Sequence, residues 1–247
     1  MKTKLPRPSF TQQVAIPAYF RPGPEWQRLS DGAASPMVGL AVMNIANGPG
    51  TERVPEYKSA IAMAGATGIA VVGYVDTDNG RRSHGRVAAD IELYNEWYAP
   101  AGFLFDQAHL AADDMRTYFA PLRDRVKADD ANAIVILNPG APAHESCMEI
   151  ADIVVDFEGS CDIYLGATTA MPKWRSKYRP DRFWHIVYDV PSASVRSVVD
   201  AARARRTGWL YATDQPIDDT SPDMYLYNRL PDAATWHQLE DLLTRRS

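Results

Sequence analysis

Apolar residues in this chain fall into short, almost unbroken runs that alternate with longer segments where they recur every three to four positions. A short apolar run bounded by polar residues fits a strand buried on both faces, and the longer period fits a helix with one buried stripe. The sharpest run is Gly102–Asp106, where Phe103, Leu104 and Phe105 end abruptly in a carboxylate followed by Gln107 and His109. Comparable runs occupy 13–19, 37–44, 68–76, 132–140, 152–159, 183–191 and 208–214. Helical patterns lie between them at 25–29, 56–64, 86–97, 113–127, 145–150, 192–205 and 232–245. Pro55 opens the second of these and Gly65 closes it, the asymmetry expected of helix ends. Met115, Tyr118, Phe119, Leu122 and Val126 form the buried stripe of 113–127, and Trp236, Leu239, Leu242 and Leu243 that of the last helix. The connection 164–178 is rich in Trp, Tyr, Lys and Arg.

Strand and helix signals alternating at roughly 30 residues a unit, eight strands in all, predict an α/β fold, a single-domain (β/α)8 TIM barrel. A doubly wound open sheet is the rival. No G-x-G-x-x-G or Walker sequence follows any strand, so nucleotide binding of that type is not expected. No linker divides the chain, and one domain is expected over 1–247 with residues 1–11 a flexible N-terminal segment. The chain has 247 residues, of which 46% are hydrophobic and 23% charged, enough for a sizeable core. Net charge is −5 with no basic run, which argues against nucleic acid as a partner, and no apolar stretch is long enough to span a bilayer. The N-terminus lacks the apolar core of a signal peptide, so the chain reads as cytoplasmic as written or as a secreted form with its signal removed. Cys147 and Cys161 are expected as buried free thiols rather than a bridge, and the protein as a monomer.

In a barrel, the carboxyl ends of the strands share one face. There they would gather Tyr19, Asn44, Asp76, Asp106, Asn138, Glu158, Tyr188 and Asp214, with no comparable set at the other end. Carboxylates, amides and phenols without fixed positive charge suit a neutral polyhydroxylated ligand, an oligosaccharide or polysaccharide. Trp174, Trp184, Trp209, Tyr74 and Tyr225 could present rings to sugars; for Trp184 and Trp209, packing inside the barrel is an equal reading. The five histidines are dispersed, and Asp76, Asp106 and Asp156 alone make a weak case for a metal, so neither metal nor cofactor is expected. No G-x-S-x-G elbow is present. Paired carboxylates remain, and glycoside hydrolysis needs one as acid and one as nucleophile or base. Asp106 and Glu158, two strands apart, are the best pair. Asp156 shares strand parity with Glu158 and is expected to face the same cleft.

The Pro17–Tyr19 segment, the 73–81 loop, Gly102–Asp106, Asn138–Gly140, Val155–Glu158 and Tyr211–Asp214 together resemble the spherulin-4-like family. That family is related to fungal and bacterial glycoside hydrolases that cleave α-1,4-linked N-acetylgalactosamine polymers. The resemblance covers nearly the whole chain and keeps the motif order. It implies a (β/α)8 barrel and an endo-acting hydrolase. Asp106 and Glu158 fall on the family's catalytic positions, while Tyr19, Asn44, Tyr74, Asp76, Gln107, Asn138, Asp156, Tyr188 and Asp214 would hold sugar. One departure matters: the family usually has Glu after its strand-four Asp, and here stands Gln107, which cannot ionise. If Asp106 and Glu158 suffice, the chain is an enzyme. Otherwise it is a carbohydrate-binding or coat-type protein, and a metal-dependent barrel lyase or isomerase is a weaker third reading.

Overall fold

The computed structural model describes residues 11–31, 37–140, 142–166, 171–216 and 227–244. Eight parallel strands close into a barrel in chain order. They are β1 (Gln13–Ala18), β2 (Val38–Met43), β3 (Ala70–Asp76), β4 (Gly102–Asp106), β5 (Ile134–Leu137), β6 (Ile153–Ser160), β7 (Phe183–Tyr188) and β8 (Trp209–Ala212). One helix follows each: α1 (Pro24–Ser30), α2 (Pro55–Ala66), α3 (His84–Trp97), α4 (Ala112–Val126), α5 (Cys147–Ile150), α6 (Cys161–Gly166), α7 (Val195–Ala204) and α8 (Ala233–Thr244). The (β/α)8 expectation holds and the open sheet is excluded, because β1 pairs with β8.

The all-apolar strands make sense in this setting. Phe103 and Phe105 point out of the barrel onto Tyr94 of α3 and Phe119 of α4. Leu104 and Asp106 alternate with them and point in, so the run must be apolar on both sides. Gly102 starts β4 where its backbone lies against β5: a Cβ there would be 2.0 Å from the Ile134 carbonyl oxygen. At the barrel floor, a Cβ on Gly39 would come within 2.9 Å of the Trp209 ring, whose indole N–H donates to the Asp181 carbonyl (2.8 Å). Trp184 is wholly buried. Both tryptophans are therefore packing residues, which settles the two readings they carried from the sequence.

Two irregularities interrupt the ladder, one at Val14/Ala15 in β1 and one between Val155 and Phe157 in β6. Asp106 does not cap the next helix, since α4 begins after Ala111. Cys147 and Cys161 are buried free thiols. Residues 1–10, Tyr225 and the end of the last predicted helix at 245 lie outside the described residues.

Candidate active site

Asp106 is the last residue of β4, in register with Asp76 of β3 and one pair beyond Tyr74 on the same face. The Tyr74 hydroxyl donates to Asp106 Oδ2 at 2.6 Å. Burial pushes the Asp106 carboxyl up to about 6; the Tyr74 hydroxyl and the Gln107 N–H pull it down, and the charge of Glu158 pushes it further up. Burial, with the Asp106 charge next, also raises Tyr74, so that hydroxyl stays a donor. Behind the pair, Thr77 is fully buried, and its hydroxyl lies 2.8 Å from the Asp106 carbonyl and 3.0 Å from that of Gln107. The main chain carrying Asp106 is thus fixed from the end of β3.

Glu158 lies two strands on. Its Oε2 accepts from Asn138 Nδ2 (2.8 Å) at the end of β5, and its Oε1 accepts from the Tyr227 hydroxyl (2.7 Å). Each carboxylate oxygen therefore meets a donor from a different element, which fixes the rotamer. Tyr227 follows β8, has a left-handed backbone (φ 77) and is buried. Tyr19 packs edge-on between Tyr74 (5.5 Å) and Tyr227 (5.7 Å), and Tyr227 meets Tyr211 in the same manner. These rings tie the two carboxylates into one cluster. Burial raises the Tyr19 hydroxyl first, and then the charges of Asp106 and Glu158. Tyr188 at the end of β7 is raised by burial and by the same Glu158 charge.

The remaining predicted residues divide. Asn44 is 6% exposed, and its Oδ1 has no hydrogen-bond donor among the described residues. Asp76 Oδ1 accepts from the Asp78 N–H in a local turn (2.9 Å). Gln107 is exposed with a left-handed backbone (φ 51), and its Oε1 is 3.5 Å from Asn79 Nδ2. Left-handed residues Asn47, Asp78, Asn79, Gln107 and Asp189 all follow strand carboxyl ends, the face where backbone strain is tolerated for function.

Two predicted ligands are engaged elsewhere. Asp214 is held by Arg229 (2.6 Å) and the Asp232 N–H (2.7 Å). Burial raises its carboxyl, but these partners outweigh that and hold it below the usual range. It clasps the segment leading into α8. Asp156 is ion-paired with Arg175 (2.7 Å), both side chains about 95% buried, at exposures of 4% and 5%. Its other oxygen is 3.2 Å from His185 Nε2. Parity predicted Asp156 beside Glu158 in the cleft; the β6 irregularity breaks that parity and puts it behind the sheet. Trp174 packs on Tyr178 and Phe183, also behind β7. The sequence reading missed Thr77 and Tyr227. Thr77 adjoins the predicted β3 end and could have been included on position; nothing periodic marks Tyr227. Among the described residues, no group of three or more His, Cys, Asp or Glu is placed to hold a metal ion. No helix of the described residues is long and apolar enough to cross a membrane.

Solved structures with this fold include Sph3 of Aspergillus clavatus in complex with GalNAc, at TM-score 0.81 and 23% identity over 95% of this chain and 98% of that one. A GH18 chitinase from Pseudoalteromonas aurantia matches at TM-score 0.54 and 10% identity, covering 81% of this chain and 93% of the other. A tamarind chitinase-like lectin matches at TM-score 0.55 and 9% identity, covering 96% and 100%. An enzyme and a lectin share the architecture, so the barrel by itself does not fix a function. Spherulin-4 of Physarum polycephalum is 26% identical over 213 residues, 82% of this chain. That match spans 63% of the relative's length. The family model described as spherulation-specific family 4 matches residues 13–243, and the chain belongs to that family.

Proposed function

We propose that the protein is a glycoside hydrolase that cleaves within a polysaccharide containing N-acetylgalactosamine or a closely related amino sugar. The observation that carries this reading is the unlike pair of carboxyl groups. Asp106 is raised to about 6 by burial and so keeps its proton in mildly acidic solution. Glu158 presents both oxygens as acceptors to Asn138 and Tyr227. Two carboxyl groups in contrasting environments are what acid-assisted glycoside cleavage requires.

In this reading Asp106 protonates the leaving glycosidic oxygen, and the glycosidic C–O bond breaks. Glu158 acts on the anomeric carbon directly or through a water, and a water molecule completes the hydrolysis. Tyr19, Asn44, Asp76, Gln107 and Tyr188 would hold sugar hydroxyls and amides around the break. The GalNAc bound to Sph3, a protein of the same fold, supports the choice of sugar. The test is incubation with galactosamine-containing polymers and, as controls, chitin and cellulose oligomers, scored by new reducing ends. A second reading, saccharide binding without turnover, is favoured by the exposed amide of Gln107 at the rim. Saturable binding with no reducing ends released would select it.

A pH dependence follows directly. With Asp106 as the acid, kcat/KM should fall as pH rises through about 6, because the proton is lost there. The Tyr74 bond lowers that value, so Tyr74→Phe should move the basic limb to higher pH. A pH–rate profile measures both. A limb that stays put in the Tyr74→Phe enzyme would assign it to another group.

A further inference from the structure

A regular strand alternates sides every residue, so Asp156 and Glu158 should face the same way. They do not. The β6–β7 register pairs Val155 with Trp184 and then Phe157 with His185, leaving Asp156 as an extra residue in β6. This is a bulge, a device that re-aims the side chains beyond it. Phe157 turns outward, its ring 4.6 Å from that of Tyr164 on α6. Asp156 goes outward with it to Arg175 and His185. The next residue, Glu158, is thereby turned inward, opposite Ile186, to reach Asn138 and Tyr227. Were Asp156 paired in a regular ladder instead of bulged, Phe157 would turn inward and Glu158 would face the helices.

The outward side is built to hold the bulge. Arg175 lies 4.0 Å over the Phe183 ring and donates to the Arg205 carbonyl and to Thr207 Oγ1 (3.3 Å). His185 is fully buried, and its Nδ1 is 2.7 Å from the Tyr164 hydroxyl. Gly159 completes the arrangement, since a Cβ there would come within 2.9 Å of the Phe157 ring. A carboxylate buried this deeply is costly unless its cationic partner Arg175 stays in place.

We propose that Asp156, anchored by Arg175 and His185 behind the sheet, is a positioning residue that holds the β6 bulge and so aims Glu158 into the cleft. The consequence for catalysis rests on the reading of Glu158 as a catalytic carboxylate; the consequence for geometry does not. The test compares Asp156→Asn and Asp156→Ala with the wild type, by kinetics on the polymer at a temperature where each is fully folded, and by crystal structures. Expected are a kcat lower by about 10–100-fold with KM nearly unchanged, and loss of the Glu158 contacts to Asn138 and Tyr227. A purely structural role would lower Tm and leave kcat per folded molecule alone. Arg175→Lys, which keeps the cation and removes the planar fork, serves if neither Asp156 variant folds, with the same two readouts. A folded variant with wild-type kcat and Glu158 still bonded to both partners overturns the proposal. If the wild type cleaves no polymer, the hydrolase reading fails while the crystal structures still decide whether Asp156 holds the bulge.

Discussion

Asp106→Asn is expected to lower kcat on a galactosamine polymer about 10³-fold, the scale of losing a general acid, while leaving the protein folded and more stable at neutral pH. The two effects share one cause. Burial raises the Asp106 carboxyl from 3.8 to about 6, so the folded state disfavours the ionised form. The sign is therefore opposite to that of a salt-bridged carboxylate. Stability is highest below the unfolded value, declines as pH rises from about 4 to about 6, and stays reduced above, by up to about 3 kcal/mol. Asn carries no charge, and its Oδ1 can still accept from Tyr74, so the variant escapes that cost. Thermal melts should show Asp106→Asn several degrees above wild type at pH 7 and level with it near pH 4. Glu158→Gln should lose activity on a similar scale without the stability gain. Its amide would turn a donor toward either Asn138 or Tyr227, each of which is already a donor to Glu158. Undiminished turnover in either variant would remove that residue from the mechanism.

Gly102→Ala is expected to be the most damaging small substitution outside the cleft, by about 4 kcal/mol or more. The added Cβ would meet main chain, with Ile134 O at 2.0 Å and Ile134 N at 2.5 Å. No side-chain rotation relieves that contact. β4 would have to separate from β5 at its first residue, and the same strand carries Asp106 at its last. Activity should fall together with stability. Gly65→Ala is the matched control, because nothing lies within 4 Å of its added Cβ. In the helix α2 it should cost nothing and stabilise by up to about 1 kcal/mol. A Gly102→Ala protein melting within ~2 °C of wild type would show that the β4–β5 junction yields more easily than its geometry implies.

Much of the barrel was legible because strand burial on two faces leaves a plain mark. Runs such as Gly102–Asp106 and Ile134–Leu137 have no polar residue until their last position or just beyond. Polar residues return at the carboxyl ends, so Asp106, Asn138 and Glu158 could be gathered on one face before any coordinates. The short strand ends were less exact: β8 closes at Ala212, two residues before the predicted Asp214. Beyond the strand the chain turns, and Asp214 meets Arg229 instead of the cleft.

The succession of strands and helices and the polar character of the strand carboxyl ends are properties of local sequence, because hydrophobic period and strand length are local. Two decisions lay beyond it. The bulge in β6 puts Asp156 and Glu158 on opposite sides of the sheet, and the groups that meet Asp156, Arg175 and His185, come from the next connection and the next strand. Tyr227, 69 residues from Glu158 along the chain, reaches it only once β8 has closed the barrel. No period in the sequence records either contact, since each depends on where distant segments arrive after the sheet has curled shut. The environment that raises Asp106 to about 6 depends on that closure too, because burial and the neighbouring charge of Glu158 both arise from tertiary packing.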